Sequence, residues 1–163
     1  FLLLSHNNAF SRVPAFKLEN GRDYLVLEKL YECLLERGRL KKEDLLLWNT
    51  PLYAPEVKYA IGRTDIYISG RAHGAVAALS QNIPCLVLNY LNGPRPQKLK
   101  GFAACVDMER YVVSTQDMDL TKTVFDDLVE HRKQISEELR NQNRKVKEEI
   151  EYSFDHLAQL LKG

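Results

Sequence analysis

The sequence has few of the features that mark a specialised class of protein. Its three cysteines lack metal-binding or redox spacing, and it has no apolar run long enough to span a bilayer. No basic segment precedes an apolar run, so no signal peptide is readable. A formal net charge of +1 gives no reason to expect nucleic acid as a partner. We therefore expect buried free thiols and a cytoplasmic location, with peripheral association with the inner membrane face as the alternative.

What the sequence does contain is the composition of an ordinary globular domain. It has 163 residues, of which 45% are hydrophobic and 28% charged, enough for a packed core. The chain starts with Phe1-Leu-Leu-Leu, which reads as a strand already under way, rather than with methionine. We therefore expect residues 1–163 to be a single Rossmann-like domain, the C-terminal half of a longer protein.

Hydrophobic patterning predicts strands that alternate with helices. The predicted strands are residues 1–5, 44–48, 65–69, 84–90 and 110–113. The predicted helices between them are residues 23–37, 55–62, 72–80 and 98–106, the last interrupted by Gly101. The stretch 10–22 contains Pro14 and Gly21 and is predicted to be a loop. This order indicates an α/β fold with a mainly parallel sheet of about five strands flanked by helices.

The last third of the chain is predicted to be helical. Asp119 or Thr121 is expected to cap a helix that ends near Glu130, and a long C-terminal helix is expected over residues 136–162. A narrow apolar stripe runs along one face of this long helix. Its members are Ile135, Leu139, Val146, Ile150, Phe154, Leu157 and Leu161. We expect the helix to pack along the edge of the domain and return toward the missing half, with a coiled coil or partner-binding helix as the alternative.

Residues 65–80 hold the main chemical signal, a strand followed by a tight turn and a helix. Gly70 in the turn permits backbone geometry that a β-carbon would forbid. The helix N-terminus that follows offers unpaired N–H groups and a positive dipole, which suit an anion. Arg71 and His73 lie in the first turn, where they supply a fixed cation and a group that moves protons near neutral pH. On pattern alone, a surface arginine and a structural histidine explain these residues equally well.

An ordered run of residues resembles the signature of the polysaccharide pyruvyl transferase family. The matching segments are Asp65, Ser69-Gly70-Arg71-Ala72-His73, Ala78-Leu79-Ser80-Gln81 and the Pro-led strand 83–90. The resemblance implies half of a GT-B-like enzyme with two Rossmann-like halves and an active site in the cleft between them. It also implies transfer of pyruvate from phosphoenolpyruvate to a sugar or lipid-linked saccharide as a ketal, in exopolysaccharide or cell-wall biosynthesis. No metal or cofactor is implied; the missing N-terminal half is an implied partner.

The resemblance also assigns roles to residues of this chain. His73 and Arg71 are implied to be catalytic. The implied donor-binding residues are Ser69, Gly70, Arg71, Gly74, Tyr90 and Lys98. The family has a lysine a few residues after the strand, but the loop before Lys98 is longer than we expect for the family. Arg95 is therefore the alternative cation. The alternative interpretation of Lys98 itself is a solvated surface lysine.

Residues at the carboxyl ends of other predicted strands form a candidate rim for the site, because ligands of open α/β sheets bind there. They are His6, Asn7 and Asn49, with Arg95 from the loop. We expect His6 and Arg71 to share one rim.

Two other classes of function remain open. A GT-B-type nucleotide-sugar glycosyltransferase would also place a phosphate at this helix N-terminus. Such enzymes usually hold the ribose with an acidic residue late in the helix, whereas residues 72–81 contain no Asp or Glu. The third class is a non-catalytic half-domain that serves in assembly.

Overall fold

A computed structural model describes residues 1–6, 9–11, 17–20, 23–48, 50, 52–90 and 96–161. The chain divides into two compact units, Phe1–Val57 and Lys58–Gly163. The single-domain interpretation stays a prediction.

The described residues of the first unit form two small sheets and one long helix. Strand β1 (Leu2–Leu3) pairs in parallel with β4 (Leu46–Leu47), and β2 (Ala9–Ser11) pairs antiparallel with β3 (Lys17–Asn20). The loop predicted over residues 10–22 is therefore wrong in part. Its ends are joined by ladder hydrogen bonds that composition does not reveal, because strand pairing depends on the partner as well as on propensity.

Helix α1 (Tyr24–Glu36) confirms the helix predicted over residues 23–37. Gly38 ends it with a φ of +62°, the left-handed conformation that favours glycine at this position. Asp23 stands at the N-cap, but its carboxylate makes no cap hydrogen bond and instead accepts the backbone N–H of His6 at 3.3 Å. None of residues 24–36 is buried. The apolar stripe of α1 is thus only partly covered.

The second unit is built around a parallel sheet. Strands β5 (Tyr67–Ser69), β6 (Cys85–Asn89) and β7 (Val112–Ser114) lie in the order β5-β6-β7. Its helices include α3 (Ala72–Leu79), α4 (Pro96–Ala104), α5 (Met118–Glu130) and α6 (Arg132–Leu160). Helix α2 (Ala54–Ile61) begins in the first unit and ends in the second. The core includes Ile61, Val87, Leu128, Ile135 and Leu139, all fully buried.

The mixed α/β class with parallel strands and a long C-terminal helix is confirmed. Within the described residues, however, the five parallel strands are divided between a two-stranded sheet and a three-stranded sheet. The two-stranded sheet is short: Leu2 pairs with Leu46 and Leu3 with Leu47.

Several details of the helices differ from the predictions. Helix α4 lies two residues earlier than predicted, and α6 begins at Arg132 rather than near Ser136. Gly101 does not interrupt α4, and a Cβ added at this position would meet open space. Asp117, rather than Asp119 or Thr121, caps α5: its Oδ1 accepts the Leu120 N–H at 2.9 Å. An aspartate at the N-cap satisfies one of the donors that the first turn leaves unpaired.

Helix α6 is fixed to the second unit by its first half. Ile135 and Leu139 are buried, and Ser136 Oγ donates to the Asn82 carbonyl at 2.8 Å. Asn143 Nδ2 donates to the Leu79 carbonyl and to Asn82 Oδ1, both at 2.8 Å. Of the predicted stripe, the outer members are exposed: Ile150, Phe154, Leu157 and Leu161. Among the described residues, α6 therefore packs on its own unit through its first half.

None of the helices in the described residues combines the length and apolar character that a membrane crossing requires.

Candidate functional site

The turn between β5 and α3 is held by the side chain of Ser69. This residue is buried, and its Oγ accepts the backbone N–H of Arg71 at 3.1 Å. The same hydroxyl donates to the Arg71 carbonyl at 2.9 Å, and that carbonyl also accepts the Ala75 N–H. Ser69 therefore fixes the backbone from which Arg71 projects. Its donor-binding role stays a prediction.

Gly70 is required by the space that Tyr90 occupies. A Cβ at Gly70 would lie 3.0 Å from Tyr90 Cε1 and 3.2 Å from Cδ1. Among the described glycines, Gly38 has a positive φ and Gly70 does not. The expectation that Gly70 serves an unusual backbone conformation is therefore wrong. The glycine admits the Tyr90 ring against the turn.

This contact follows from strand order. β5 and β6 are parallel neighbours, with Ser69 opposite Val87, so their carboxyl ends lie at one edge of the sheet. Tyr90 directly follows β6 and remains half exposed. The structure thus brings together two parts of the predicted donor site that are about twenty residues apart in the chain.

Arg71 and His73 lie on the first turn of α3. Arg71 is the N-cap residue with an extended backbone, φ −111° and ψ 130°, and is partly buried. His73 is exposed and Gly74 is buried. The N–H groups of residues 72–74 have no acceptor within the helix, because hydrogen bonding of its backbone begins with Ala75 to Arg71. A cation, an imidazole and backbone donors without an acceptor in their own helix thus occupy one helix end, an arrangement that suits a small anion.

The remaining predicted site residues lie elsewhere or are not described. Lys98 is exposed on α4, with its Nζ 5.8 Å from the centroid of the Phe102 ring. His6 lies just after β1, in the first unit. Asn7, Asn49 and Arg95 lie outside the described residues. A rim shared by His6 and Arg71 stays a prediction.

The three cysteines are free but differ in exposure. Burial raises the pKa of the Cys85 thiol to about 12, which makes it unreactive at neutral pH. Cys105 is exposed and Cys33 is intermediate, so the expectation that all three are buried is wrong. No group of three metal-ligating side chains lies together in the described part of the chain.

Gln81 has a positioning role that sequence reasoning missed. Its Nε2 donates to the Lys58 carbonyl at 2.7 Å and to the Ala77 carbonyl at 2.8 Å. It thus joins the ends of α2 and α3. The residue belongs to the run Ala78-Leu79-Ser80-Gln81, and a polar side chain just after an apolar helix was the available signal.

These elements define an α/β protein with a strand, a tight turn and a basic helix N-terminus at one edge of a parallel sheet. Comparison with protein families matched residues 8–92 to the model of polysaccharide pyruvyl transferase, which covers more than half of the chain. The chain belongs to the polysaccharide pyruvyl transferase family. Searches of curated proteins and of solved structures gave no match. The matched region includes the turn, Arg71, His73 and Tyr90 but ends before Lys98.

Proposed function

We propose that this chain is part of a transferase that moves pyruvate from phosphoenolpyruvate onto two hydroxyls of a sugar as a cyclic ketal. The main support is the placement of Arg71 and His73 at the N-terminus of α3, inside the region matched by the family. We further propose that the chain is one Rossmann-like half of a GT-B-like enzyme, with acceptor contacts on the other half. A cytoplasmic location and peripheral association with a membrane also stay proposals.

Donor binding would depend on the charge of this helix end. Phosphoenolpyruvate carries a carboxylate and a phosphate, and its site needs fixed positive groups. The Arg71 guanidinium is always charged and can bind such an anion with two parallel hydrogen bonds. The N–H groups of residues 72–74 point along the helix axis toward the same end. We therefore assign donor anion binding to Arg71 and the turn.

The chemical step requires a proton at carbon. Protonation of the methylene carbon of the enol phosphate gives an oxocarbenium-like centre at the neighbouring carbon. One sugar hydroxyl attacks that centre, a second hydroxyl displaces phosphate, and the hydroxyl protons are released to a base and to the departing phosphate. Histidine is the side chain that enzymes use most often for general acid–base catalysis, and His73 is exposed on the same helix turn as Arg71. We assign His73 either to proton transfer at carbon or to neutralising the phosphate.

Two alternatives are weighed against this proposal. A nucleotide-sugar glycosyltransferase would share the helix end, but residues 72–81 supply no carboxylate for a ribose. A non-catalytic half-domain would account for the exposed outer half of α6. It would give no reason for an arginine and a histidine to share the first turn of α3.

The test is phosphate release from phosphoenolpyruvate by the full-length enzyme against a panel of free and lipid-linked sugars. Thermal unfolding with each donor provides an independent readout, because a ligand that binds only the folded state raises the melting temperature. We expect protection by phosphoenolpyruvate and none by nucleotide sugars. Protection by a nucleotide sugar alone would favour the glycosyltransferase, and no response to either would favour the non-catalytic alternative.

A further inference from the structure

The chain leaves α3 through a corner at Asn82, whose backbone is left-handed with a φ of +63°. The Asn82 N–H donates to the Leu79 carbonyl at 3.1 Å, and the Ile83 N–H donates to the Ala78 carbonyl at 3.0 Å. This pair of bonds is a common C-terminal helix cap, in which the left-handed position is usually glycine. Since the backbone alone favours glycine, the asparagine side chain is the feature that needs a reason.

Helix α6 binds this corner through its side chains. Asn143 Nδ2 donates to Asn82 Oδ1 and to the Leu79 carbonyl, both at 2.8 Å. Ser136 Oγ donates to the Asn82 carbonyl at 2.8 Å. Ser136 and Asn143 are seven residues apart and therefore lie on one face of α6. The asparagine at the corner thus supplies an acceptor that a glycine would lack.

The corner after α4 has the same design. Asp107 is left-handed there, with a φ of +58°, and its N–H caps the last turn of α4 in the same way. Gln142, the chain neighbour of Asn143, donates its side-chain amide to the Asp107 carboxylate. Adjacent residues of α6 therefore bind two left-handed corners, each through an Asn or Asp side chain.

Helix α3 depends on such a hold because of the residues on its buried face. These residues are Gly74, Ala75, Ala78 and Leu79. Small side chains form shallow ridges, which restrict rotation and sliding of a helix less than large ones do. The polar bonds at the end of α3 then contribute more to its position. One set joins Gln81 to the carbonyl of Lys58 in α2, and the other joins the Asn82 corner to α6.

The opposite end of α3 carries the candidate anion site. The helix has eight residues and is therefore about 12 Å long. A tilt of about 5° around the Asn82 end would displace the Arg71 end by about 1 Å. A displacement of about 1 Å in a reacting or binding group can lower a rate by about 10²-fold.

We propose that Asn143 is a positioning residue for the candidate anion site: by holding the Asn82 corner it fixes α3 and so places Arg71 and His73. Asn143 lies outside residues 8–92, the region matched by the family. Its effect on donor binding and turnover rests on the proposed function. Its hold on α3 rests on the contacts alone.

Gly70 provides a readout of α3 that requires no activity. It directly precedes the helix N-cap and packs against the Tyr90 ring, and an aromatic ring shifts the NMR signals of nuclei beside it. We expect Asn143→Ala to move the Gly70 amide and α-proton signals of the full-length protein. Asn141→Ala makes the same change at an exposed position of α6 and gains the same helix propensity, so it should leave these signals in place.

Two variants at the corner separate position from stability. Asn82→Gly suits the left-handed backbone but removes the acceptor for Asn143, so it should keep most of the stability and still move the Gly70 signals. Asn82→Asp keeps an oxygen acceptor and should leave the Gly70 signals where they are in the parent protein.

Phosphate release from phosphoenolpyruvate then tests the link to the site. We expect turnover to fall by about ten-fold or more in Asn143→Ala and Asn82→Gly, and to stay near the parent value in Asn141→Ala and Asn82→Asp. Unchanged Gly70 signals in both Asn143→Ala and Asn82→Gly would overturn the proposal. Moved signals with undiminished turnover would overturn the role of Asn143 at the site. A parent protein that does not use phosphoenolpyruvate would contradict the proposed function, and the Gly70 signals would still decide whether Asn143 holds α3.

Discussion

Arg71 and His73 lie two residues apart on α3, yet their loss should affect different steps. His73→Ala removes a proton-transfer group, whose contribution to rate is typically about 10²–10⁴-fold. We expect turnover to fall by that factor while phosphoenolpyruvate still binds. Arg71→Ala should instead weaken donor binding first. Steady-state phosphate release, together with donor binding measured by calorimetry on the full-length enzyme, separates the two effects.

Arg71→Lys is the matched control for charge at this position. A lysine supplies a point charge without the two-pronged geometry of a guanidinium, so it should restore little of the binding. Near-normal turnover of His73→Ala across the neutral pH range would show that the role given to His73 is wrong. Full rescue by lysine would show that Arg71 acts by charge alone.

The contact between Gly70 and Tyr90 gives a prediction about packing. In Gly70→Ala the new methyl would lie 3.0 Å from Tyr90 Cε1, so the ring must move. Tyr90 is half exposed and can move, so we expect a cost near the lower end of the overpacking range, about 1 kcal/mol. Tyr90→Ala should remove this cost. Urea unfolding of the four proteins of the double-mutant cycle measures it.

An equal cost of Gly70→Ala in both backgrounds would contradict this explanation and would indicate that the backbone conformation of Gly70 causes the cost.

Gly70 also shows what a sequence can reveal. The glycine-containing turn could be located from its neighbours, a β-rich segment before it and a small-residue helix after it. The reason for the glycine could not be predicted from the sequence. It is a contact with Tyr90, whose ring packs against the turn only when β6 pairs with β5.

At the scale of elements, α6 contains a buried and an exposed leucine that make a matched pair. Leu139 is 0% exposed and Leu157 is 50% exposed. Leu139→Ala should destabilise the protein by about 2–5 kcal/mol, because it leaves a cavity in a packed core. Leu157→Ala should cost well under half of that value. Chemical denaturation of both variants checks the difference.

Equal effects of the two substitutions would mean that the outer half of α6 is packed against something that stabilises it.

The length of α6 was predictable from its continuous helical pattern, and the position of its apolar stripe was too. Which members of the stripe are buried was not predictable. Burial depends on where the loop at Asn82 meets the helix through Ser136 and Asn143, and that meeting joins residues more than fifty positions apart.

The ion pair between Arg110 and Glu138 predicts a dependence of stability on pH. Arg110 Nη2 donates to Glu138 Oε2 at 2.7 Å, and Gln134 donates to the same carboxylate. The hydrogen bond from Arg110 is the main cause that lowers the pKa of Glu138 in the folded protein. A carboxylate with a lowered pKa stabilises the fold above its unfolded pKa, and the stabilisation is lost as the pH falls through the folded value.

Glu138→Gln should therefore reduce stability at neutral pH by no more than about 1 kcal/mol, since the pair is partly exposed. The difference from the parent protein should vanish in acid, where both carry a neutral side chain. Arg110→Ala should reproduce the loss at neutral pH. A difference between the parent protein and Glu138→Gln that persists unchanged in acid would show that the loss comes from packing and not from charge. Thermal unfolding at two pH values is sufficient.

At the scale of the whole molecule, the local elements were more predictable than their pairing. The helices near residues 24–36 and 72–79 carry glycine and helix-propensity signals in or next to their own segments. The hairpin of β2 and β3 and the separate pairing of β1 with β4 depend on contacts between segments. A sequence that predicts five parallel strands does not state how many sheets they form. Arg71, His73 and the helix end were predictable because they lie within one continuous stretch, whereas the contact of the turn with Tyr90 depends on the pairing of β5 with β6.

The two units should also differ in how their backbones resist opening. In the second unit, residues Cys85, Leu86 and Val87 of β6 are buried and the strand is paired on both sides by β5 and β7. In the first unit, none of residues 24–36 is buried, and β1 pairs with β4 over two residues.

Amides that are buried and paired on both sides exchange only through large openings, whereas those in thinly covered elements exchange through local ones. Native-state hydrogen exchange should therefore find the slowest amides in β6 and markedly faster ones throughout α1. Ala75 of α3, which is buried and whose N–H is bonded to the Arg71 carbonyl, should exchange more slowly than the exposed middle of α1. If the amides of α1 were protected as strongly as those of β6, the helix would be covered by something that its own unit does not supply, and this ranking of the two units would be wrong.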